Sequence, residues 1–359
     1  MNSNLWALKI LKKDGEKALK IIKENNLLNS NYKIISNGEY LFIPLKEKIN
    51  ENFLKNKLDY YSIILKDFPL RLIKPRSIEE YLLKKYGKDI ANLAPKSFEI
   101  IGNIAIIESR KEYEKYIKDI AEAIKKVHKN IDTVLLKKSS ISGEYRIREY
   151  EVLFGSGKTE TIHKENGCIF LLDIKKVFFS SKLSTERLRV ASQVKNNEIV
   201  VDMFAGVGPF SILIAKICNV SHVYSIEINP YAYEYLKKNI EINKVKNKVE
   251  AILGDAREIL KGKESFADRI IMNLPYKAKD FLDIACKIAK PKAYLHYYCI
   301  CKEGEEEKAI KEFIENIKKY GRKVNILNYK KVLEIAPRKY NFVIDAEILT
   351  GRVQLPTIV

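Results

Sequence analysis

Four polar side chains follow four apolar segments in the second half of the chain: Asp202, Glu227, Asp255 and Asn273. The length and apolar character of these segments predict buried parallel strands, whose carboxyl ends meet at one edge of a sheet. There, Glu227 can accept hydrogen bonds from both hydroxyls of a ribose, and Asp255 can accept one from an adenine amino group. A single acid of this kind is more often a solvated loop residue. Four in register predict a binding site for an adenosyl amino acid.

The first of these segments runs into a glycine turn that opens a helix, Asp202-Met203-Phe204-Ala205-Gly206-Val207-Gly208-Pro209-Phe210. Glycines in such a turn let the backbone approach a ligand closely, so we expect Asp202 and Phe204 to border a cofactor. A dinucleotide would need a third glycine, but Ser211 occupies its place. A dinucleotide oxidoreductase would also need a hydride-transfer acid such as a well-placed histidine, which the sequence does not offer.

The charge balance bears on the partner. The chain of 359 residues has 65 Lys and Arg against 46 Asp and Glu, a formal net charge of +19. This excess favours a nucleic acid, although a Lys-rich solvated surface would give the same balance. The five cysteines form neither a Cys-x-x-Cys pair nor a cluster with zinc spacing. We therefore expect free thiols, no bound metal and a cytoplasmic location, with no signal peptide and no membrane-spanning segment.

Strands and helices alternate regularly in the part of the chain that carries these residues. Strands are predicted at 198–203, 222–228, 249–253, 268–272 and 292–300, helices at 209–217, 230–243, 279–289 and 304–319, and a terminal hairpin at 324–334 and 340–349. This alternation predicts an α/β fold with a doubly wound, mostly parallel sheet that ends in an antiparallel hairpin.

Two smaller α/β units are expected before that sheet. Asn37-Gly38 between apolar runs predicts a tight hairpin in the first unit, and the apolar spacing over 111–128 predicts an amphipathic helix in the second. A strand pair or an interrupted strand is predicted at 98–108, and a strand-like stretch at 168–179. We expect domains at 1–69, 96–175 and 176–359, with a linker and a helix at 70–95.

Further stretches narrow the interpretation. They lie at 143–149, 161–167, 176–180, 295–298 and 336–338, together with Glu186-Arg187 and the Asp-x-Phe-Ala-Gly-x-Gly-Pro-Phe sequence at 202–210. With these motifs the chain resembles, over nearly its whole length, the archaeal and eukaryotic tRNA (guanine(37)-N(1))-methyltransferases of the class I S-adenosylmethionine-dependent fold. The resemblance implies S-adenosylmethionine as cofactor, tRNA as partner and a monomer. It also implies an N-terminal tRNA-recognition domain, a middle RNA-binding domain and a methyltransferase domain.

The resemblance also implies roles for individual residues. Arg146 matches the catalytic arginine of the family, Glu186 its general base, and Asn273 with Pro275 its signature after the fourth strand. The implied cofactor contacts are Arg187, Glu227, Ile228, Asp255, Ala256 and Asn273. These types suit methylation of guanine N1, because the N1 proton needs a base and the charge that develops on O6 favours a cationic donor. Without the resemblance, Arg146 would more readily be a phosphate contact and Glu186 a helix-start carboxylate.

Two departures from the family pattern keep alternatives open. Phe178 stands where relatives often carry Tyr, and Tyr276 stands where some carry Lys. The chain therefore has Asn273-Leu274-Pro275-Tyr276, which drifts toward the pattern of enzymes that methylate amino nitrogens. The alternative activities are methylation of a tricyclic wyosine precursor and aminocarboxypropyl transfer from the same cofactor. A non-catalytic RNA-binding protein with this fold would have no need of the four strand-end residues.

Overall fold

The structure, a computed structural model, describes residues 2–50, 53–55, 57–71, 75–108, 110–139, 143 and 148–350. The chain divides into two compact units, Met1–Arg76 and Ser77–Val359. The predicted α/β architecture is confirmed, with the large sheet in the second unit. The domain boundaries at 69 and 175 stay predictions. The candidate catalytic Arg146 lies outside the described residues.

The first unit contains a four-stranded antiparallel sheet in the order β2-β3-β1-β4. Its elements are β1 (Asn2–Leu11), α1 (Gly15–Glu24), β2 (Ile35–Asn37), β3 (Tyr40–Pro44) and β4 (Tyr61–Pro69). The predicted hairpin joins β2 to β3, and Gly38 takes the left-handed backbone that this turn requires, with a φ of +56°. Leu8 and Ile10 of β1 pack with Ile22 of α1 in the core.

The second unit begins with another four-stranded sheet, in the order β5-β6-β7-β8. Its elements are α2 (Ile78–Tyr86), α3 (Lys88–Ala91), β5 (Glu99–Ile101), β6 (Ile104–Glu108), α4 (Ile117–Val127), β7 (Thr133–Lys137) and β8 (Tyr150–Gly155). The stretch at 98–108 is a strand pair. The helix predicted over 111–128 begins as a 3-10 helix over Lys111–Tyr116 and becomes α-helical at Ile117.

A hairpin and a short helix lead to the large sheet: β9 (Glu160–Glu165), β10 (Cys168–Asp173) and α5 (Ser184–Ala191). The prediction of a strand over 168–179 is wrong beyond Asp173. The Asp173 carbonyl accepts hydrogen bonds from the backbone N–H groups of Lys176 and Val177, which turns the chain away from the strand direction.

The large sheet has seven strands in the order β13-β12-β11-β14-β15-β17-β16. Its strands are β11 (Ile199–Asp202), β12 (His222–Glu227), β13 (Val249–Leu253), β14 (Ala267–Met272), β15 (Ala289–Lys302), β16 (Arg322–Ala336) and β17 (Lys339–Thr350). The intervening helices are α6 (Pro209–Ile217), α7 (Pro230–Ile242), α8 (Ala256–Ile259), α9 (Leu282–Ile288) and α10 (Glu306–Lys319). Strands β11 to β15 pair in parallel, and β17 joins antiparallel to both β15 and β16.

Both faces of the central strands are buried, which explains their continuous apolar sequences. Val200 and Ile271 pack in the cluster that contains α6 and α7, whereas Val201 and Ile270 pack in the cluster that contains α9 and α10. The strand order reverses between β11 and β14. In such sheets a crevice opens outside the carboxyl ends of the strands at this switch point, and ligands bind there.

Candidate functional site

A cavity of about 320 Å³ lies at the switch point, within the usual size range of small-molecule sites. Its walls include six of the expected cofactor contacts on the β11, β12 and β13 ends and on α5. These are Phe204, Glu227, Ile228, Asp255, Ala256 and Arg187. Asn273, Leu274 and Tyr276 after β14 also line it, whereas Pro275 does not appear in its wall.

The glycine turn after β11 and the acid after β12 are bonded to each other. The backbone N–H of Gly206 donates to Oε2 of Glu227 at 2.7 Å, and that of Asn229 donates to Oε1 at 2.8 Å. Gly208 has a φ of +89°, and a Cβ there would lie 2.5 Å from Leu236 Cδ1. The turn therefore needs glycine at 208, and it fixes the Glu227 carboxylate on the cavity wall.

Asp255 caps the short helix α8 and is paired with an arginine. Arg257 donates to Oδ1 and Oδ2 of Asp255 at 3.1 and 2.6 Å, and this guanidinium holds the pKa of the carboxyl below its usual range. The same guanidinium lies 4.7 Å from the ring centre of Phe281, which packs edge-on against Phe204. The result is an apolar wall with an ion pair at its rim.

Asp202 is buried at the base of the glycine turn, with 1% of its surface exposed. Ser211 Oγ donates to its Oδ2 at 2.8 Å, while Oδ1 has no hydrogen-bond partner within the described part of the chain. Burial raises the pKa of Asp202 to about 7. Asp202 is not part of the cavity wall, although Met203 and Phe204 beside it are.

Arg187 combines burial with an unused donor. Its Nη1 donates to Glu165 Oε1 at 2.5 Å and its Nη2 to the Ser180 carbonyl at 2.9 Å. Its Nε, by contrast, has no acceptor among the residues that the structure describes. Burial lowers the pKa of this guanidinium from its usual value. Arg187, on the cavity wall, thus offers one buried donor, and Asp202, beneath the wall, has one buried acceptor.

Glu186 neighbours Arg187 on α5, but the structure does not bring it into the cavity wall. Only 3% of its surface is exposed. Tyr298 Oη and Arg189 Nη2 donate to its Oε1 at 2.8 and 2.7 Å, and Arg189 Nε donates to Oε2 at 2.8 Å. Phe210, which lines the cavity, has its ring centre 6.2 Å from that of Tyr298. Glu186 therefore lies behind the aromatic wall of the cavity.

Several residues around the site were not singled out individually from the sequence. Arg257 and Phe281 form part of the cavity wall, and Arg189 and Tyr298 hold Glu186. Tyr298 falls in the 295–298 stretch, which was a usable signal. The other three have no local pattern that separates them from ordinary helix and loop residues. Across the described residues there is neither a metal-binding cluster nor a helix long and apolar enough to cross a membrane.

Family models match three consecutive parts of the chain. They describe the TRM5/TYW2 methyltransferase domain at residues 161–327, the TYW2 N-terminal domain at 78–159 and the tRNA methyltransferase 5 N-terminal domain at 7–54. The tRNA (guanine(37)-N(1))-methyltransferase Trm5b of Pyrococcus abyssi is 41% identical over 343 residues, which cover 95% of this chain and 98% of that protein.

This chain belongs to the tRNA (guanine(37)-N(1))-methyltransferase family. Its structure is similar to that of aTrm5 in a complex with tRNALeu, with a TM-score of 0.75 and 40% identity over 95% of this chain and 99% of the other.

Relatives with other activities match less of the chain. The tRNA(Phe) (4-demethylwyosine(37)-C(7)) aminocarboxypropyltransferase of Pyrococcus horikoshii is 38% identical over 277 residues, or 77% of this chain and 97% of that protein. The Methanocaldococcus jannaschii TYW2 structure in complex with AdoMet has a TM-score of 0.56 and 32% identity, covering 71% of this chain and 100% of the other.

Proposed function

We infer that this protein transfers the methyl group of S-adenosylmethionine to N1 of guanosine 37 in tRNA. The observation that carries the inference is the extent of the similarity. The Pyrococcus abyssi Trm5b matches 95% of the chain, whereas the aminocarboxypropyltransferase matches 77%. The N-terminal residues 7–54 match the N-terminal domain of tRNA methyltransferase 5.

The cavity residues fit the cofactor group by group. Glu227 would accept the ribose hydroxyls, Asp255 and Ala256 would meet the adenine, and Ile228 and Phe204 would supply apolar contact. Arg187 and Asp202 would take the carboxylate and ammonium of the methionine portion through their unpartnered atoms. When bound, the cofactor supplies an electrophilic methyl group. The aromatic walls around it exclude water.

The chain's own contribution to the reaction would be proton transfer and charge stabilisation. In our proposal Glu186 takes the N1 proton, and Arg146 donates hydrogen bonds to O6 as negative charge develops there. Asn273 and Pro275 would position the guanine edge beside the cavity, with Tyr276, 62% exposed, at its entrance. Support for Glu186 comes from the family motif Glu186-Arg187.

Recognition of tRNA would begin in the first unit, in keeping with the predicted recognition domain at 1–69. Lysine ammonium groups there lie over aromatic rings: Lys9 Nζ is 3.9 Å from the Tyr40 ring centre, and Lys66 Nζ is 4.2 Å from that of Phe42. Deleting residues 1–69 should leave cofactor binding intact, weaken binding of full-length tRNA and affect an anticodon stem-loop far less. Equal loss on both RNAs would make this unit structural. We propose that the protein acts as a monomer.

The decisive experiment is mass spectrometry of nucleosides from unmodified tRNA incubated with the protein and S-adenosylmethionine. N1-methylguanosine should form on a transcript with guanosine at position 37, and no product on a matched transcript with adenosine there. S-adenosylhomocysteine should accumulate in step. Methylthioadenosine as the co-product, without N1-methylguanosine, would contradict the proposal.

One observation favours a second candidate activity on modified tRNA. The chain has Phe178 and Tyr276 at its two departures from the family pattern. We propose methylation of the tricyclic wyosine precursor as this alternative. A third reaction with tRNA that carries the precursor tests it, because a methylated tricyclic base would then appear beside N1-methylguanosine or in its place.

A further inference from the structure

A chain of buried charged and polar side chains begins at Glu186 and crosses three strands of the large sheet. Its members are Glu186 and Arg189 of α5, Asp345 of β17, His296 of β15, Arg269 of β14 and Glu198 just before β11. Arg189 is the partly buried link, and each of the other five has 6% or less of its surface exposed. None of the six lines the cavity.

His296, the histidine of this polar chain, has one assignable tautomer. Its Nε2 lies 2.7 Å from Arg269 Nη1, and a guanidinium can only donate, so Nε2 accepts. Its Nδ1 must then carry the hydrogen that it donates to Asp345 Oδ1, 2.6 Å away. Burial lowers the pKa of His296, in keeping with a neutral ring.

Asp345 is the link between His296 and Arg189. Burial alone would raise its pKa, but the hydrogen bonds from His296 and Arg189 outweigh this effect and hold the pKa of Asp345 well below its usual range. Nη1 and Nη2 of Arg189 both donate to the Asp345 carboxylate, while its Nε and Nη2 also donate to the Glu186 carboxylate. The orientation of Arg189 is therefore fixed from the side opposite Glu186.

Within the part of the chain that the structure describes, the donors leave one position open on the Glu186 carboxylate. Burial keeps the pKa of Tyr298 well above 10, so its hydroxyl is a donor, and with Arg189 it fills both lone-pair sites of Oε1. Among the described residues, Oε2 accepts a hydrogen bond from Arg189 Nε alone. Beyond these contacts, Lys330 Nζ of β16 lies 3.5 Å from Oε2, on a side chain that is 40% exposed.

In free energy, such a polar chain is an unfavourable way to hold a helix against a sheet. Buried ionic networks are often no more stabilising than apolar side chains of the same volume, and removing one partner leaves a buried charge uncompensated. The surrounding cluster already joins α5 to the sheet through Val190, Val200 and Val343. The polar chain therefore points to a role beyond packing.

We propose that Tyr298 and Arg189 are positioning residues that hold the Glu186 carboxylate with one Oε2 lone pair left for the guanine N1 proton, and that His296 and Asp345 orient Arg189. In this step the N1–H bond breaks, its electron pair stays on N1, and an Oε2–H bond forms. The Lys330 ammonium moves away from Oε2 when the guanine binds there. The inference rests on the proposed role of Glu186 as the base.

Tyr298→Phe tests the first link by deleting one oxygen atom from a fully buried side chain. Tyr297→Phe deletes the same atom from the neighbouring residue, whose ring stacks on Phe313 and which is not a member of the polar chain. In single-turnover methylation, Tyr298→Phe should lower the rate by about tenfold, the scale of one hydrogen bond to a charged group. The acid limb of its pH–rate profile should move to higher pH. Affinities for cofactor and tRNA should not change, and Tyr297→Phe should match the parent protein throughout.

The double variant separates positioning from a general loss of structure. In a Glu186→Gln background, Tyr298→Phe should cause little additional loss of rate, because its effect passes through the carboxylate. A full tenfold loss in that background, or a Tyr298→Phe profile that superimposes on that of Tyr297→Phe, would overturn the inference. If Glu186→Gln alone kept full activity, the proposed base would be wrong instead, whatever the Tyr298 variants did.

Two substitutions at His296 test the remote link. Asn places an amide near the Nδ1 position and can still donate to Asp345, whereas Gln places its amide near Nε2 and cannot. His296→Asn should therefore keep the rate within a few-fold of the parent protein, and His296→Gln should be slower by about tenfold with an altered pH–rate profile. Equal losses in the two variants, with an unchanged profile, would show that His296 only supports the fold.

Discussion

Two aspartates of the large sheet, each 1% exposed, meet opposite electrostatic conditions. Asp202, under the cavity, has Ser211 as its side-chain donor and one unpartnered oxygen, and burial raises its pKa to about 7. Asp345, behind the cavity, is surrounded by His296 and Arg189, and its pKa lies well below the usual range. Burial is the same for both, so the difference comes from the neighbours.

The contrast extends from the two aspartates to the regions around them. The cavity wall includes Arg187, whose Nε has no acceptor among the described residues, and Asp202 beneath the wall keeps one oxygen without a donor there. In the chain that starts at Glu186, the carboxylates are already bonded to arginines, a tyrosine and a histidine. A binding site leaves capacity for its ligand, whereas a group that handles a proton is held in place beforehand.

The largest expected effect comes from Glu186→Gln, which removes the proposed base from the polar chain behind the cavity. Gln keeps the size and most of the hydrogen bonding of Glu186 but cannot take up the N1 proton. We expect the single-turnover rate to fall by roughly 10²–10⁴, the scale of general-base loss, with tRNA affinity nearly unchanged. Rapid-quench assays with cofactor and tRNA in excess over their dissociation constants measure the rate. A loss confined to binding would mean that the base must be sought elsewhere.

Asp202→Asn should change the pH dependence of stability. The folded pKa of about 7 exceeds the ordinary 3.8, so the stability that the protonated carboxyl contributes is complete below pH 3.8 and is lost as pH rises through 7. Asn resembles the protonated form and avoids this loss. Relative to the parent protein, the variant should gain stability between about pH 4 and pH 8, by at most about 4 kcal/mol.

Asp345→Asn is the matched control for that experiment, with the opposite sign. Because the folded pKa of Asp345 is depressed, its contribution is present above the unfolded pKa and is lost as pH falls through the folded value. This variant should be destabilised at pH 7 and approach the parent protein in acid. Thermal unfolding without cofactor, at constant ionic strength, measures both variants. Parallel pH curves for the two would remove the contrast between the regions.

Glu227→Ala should weaken cofactor binding in the cavity and leave the polar chain that begins at Glu186 unchanged. A charge-assisted bond to a ribose hydroxyl contributes roughly 1.5–3 kcal/mol, so S-adenosylmethionine affinity should fall by about one to two orders of magnitude. The rate at saturating cofactor should change far less. Isothermal titration calorimetry gives the affinity, and an unchanged dissociation constant would remove Glu227 from the cofactor site.

The smallest effect is expected for Lys330→Gln. The lysine is 40% exposed and lies 3.5 Å from Glu186 Oε2, and ion pairs of this kind contribute about 1 kcal/mol or less. The single-turnover rate should change by less than about fivefold, and any change should diminish in high salt. A loss as large as that of Tyr298→Phe would show that Lys330 also holds the carboxylate.

Much of the fold and of the cavity was predictable because both depend on local patterns. Apolar strands followed by Asp202, Glu227, Asp255 and Asn273 predicted the parallel sheet and the edge where the cavity lies. Parallel strands bring their carboxyl ends to one edge whatever the intervening helices are. The strand predicted over 168–179 was wrong beyond Asp173, because a turn closed by backbone hydrogen bonds leaves little trace in side-chain pattern.

The sequence by itself determined the α/β class, the sheet edge at which the cavity lies and, through motifs, the family. Only the tertiary structure decided that Glu186 lies behind Phe210 and is held by Tyr298 and Arg189. Tyr298 of β15 is 112 positions from Glu186 along the chain. Arg189 is only three positions away on α5, but Asp345 of β17 holds it from the opposite side. No periodicity marks the contacts of Tyr298 and Asp345, because they depend on how distant elements pack and not on the spacing within any one of them.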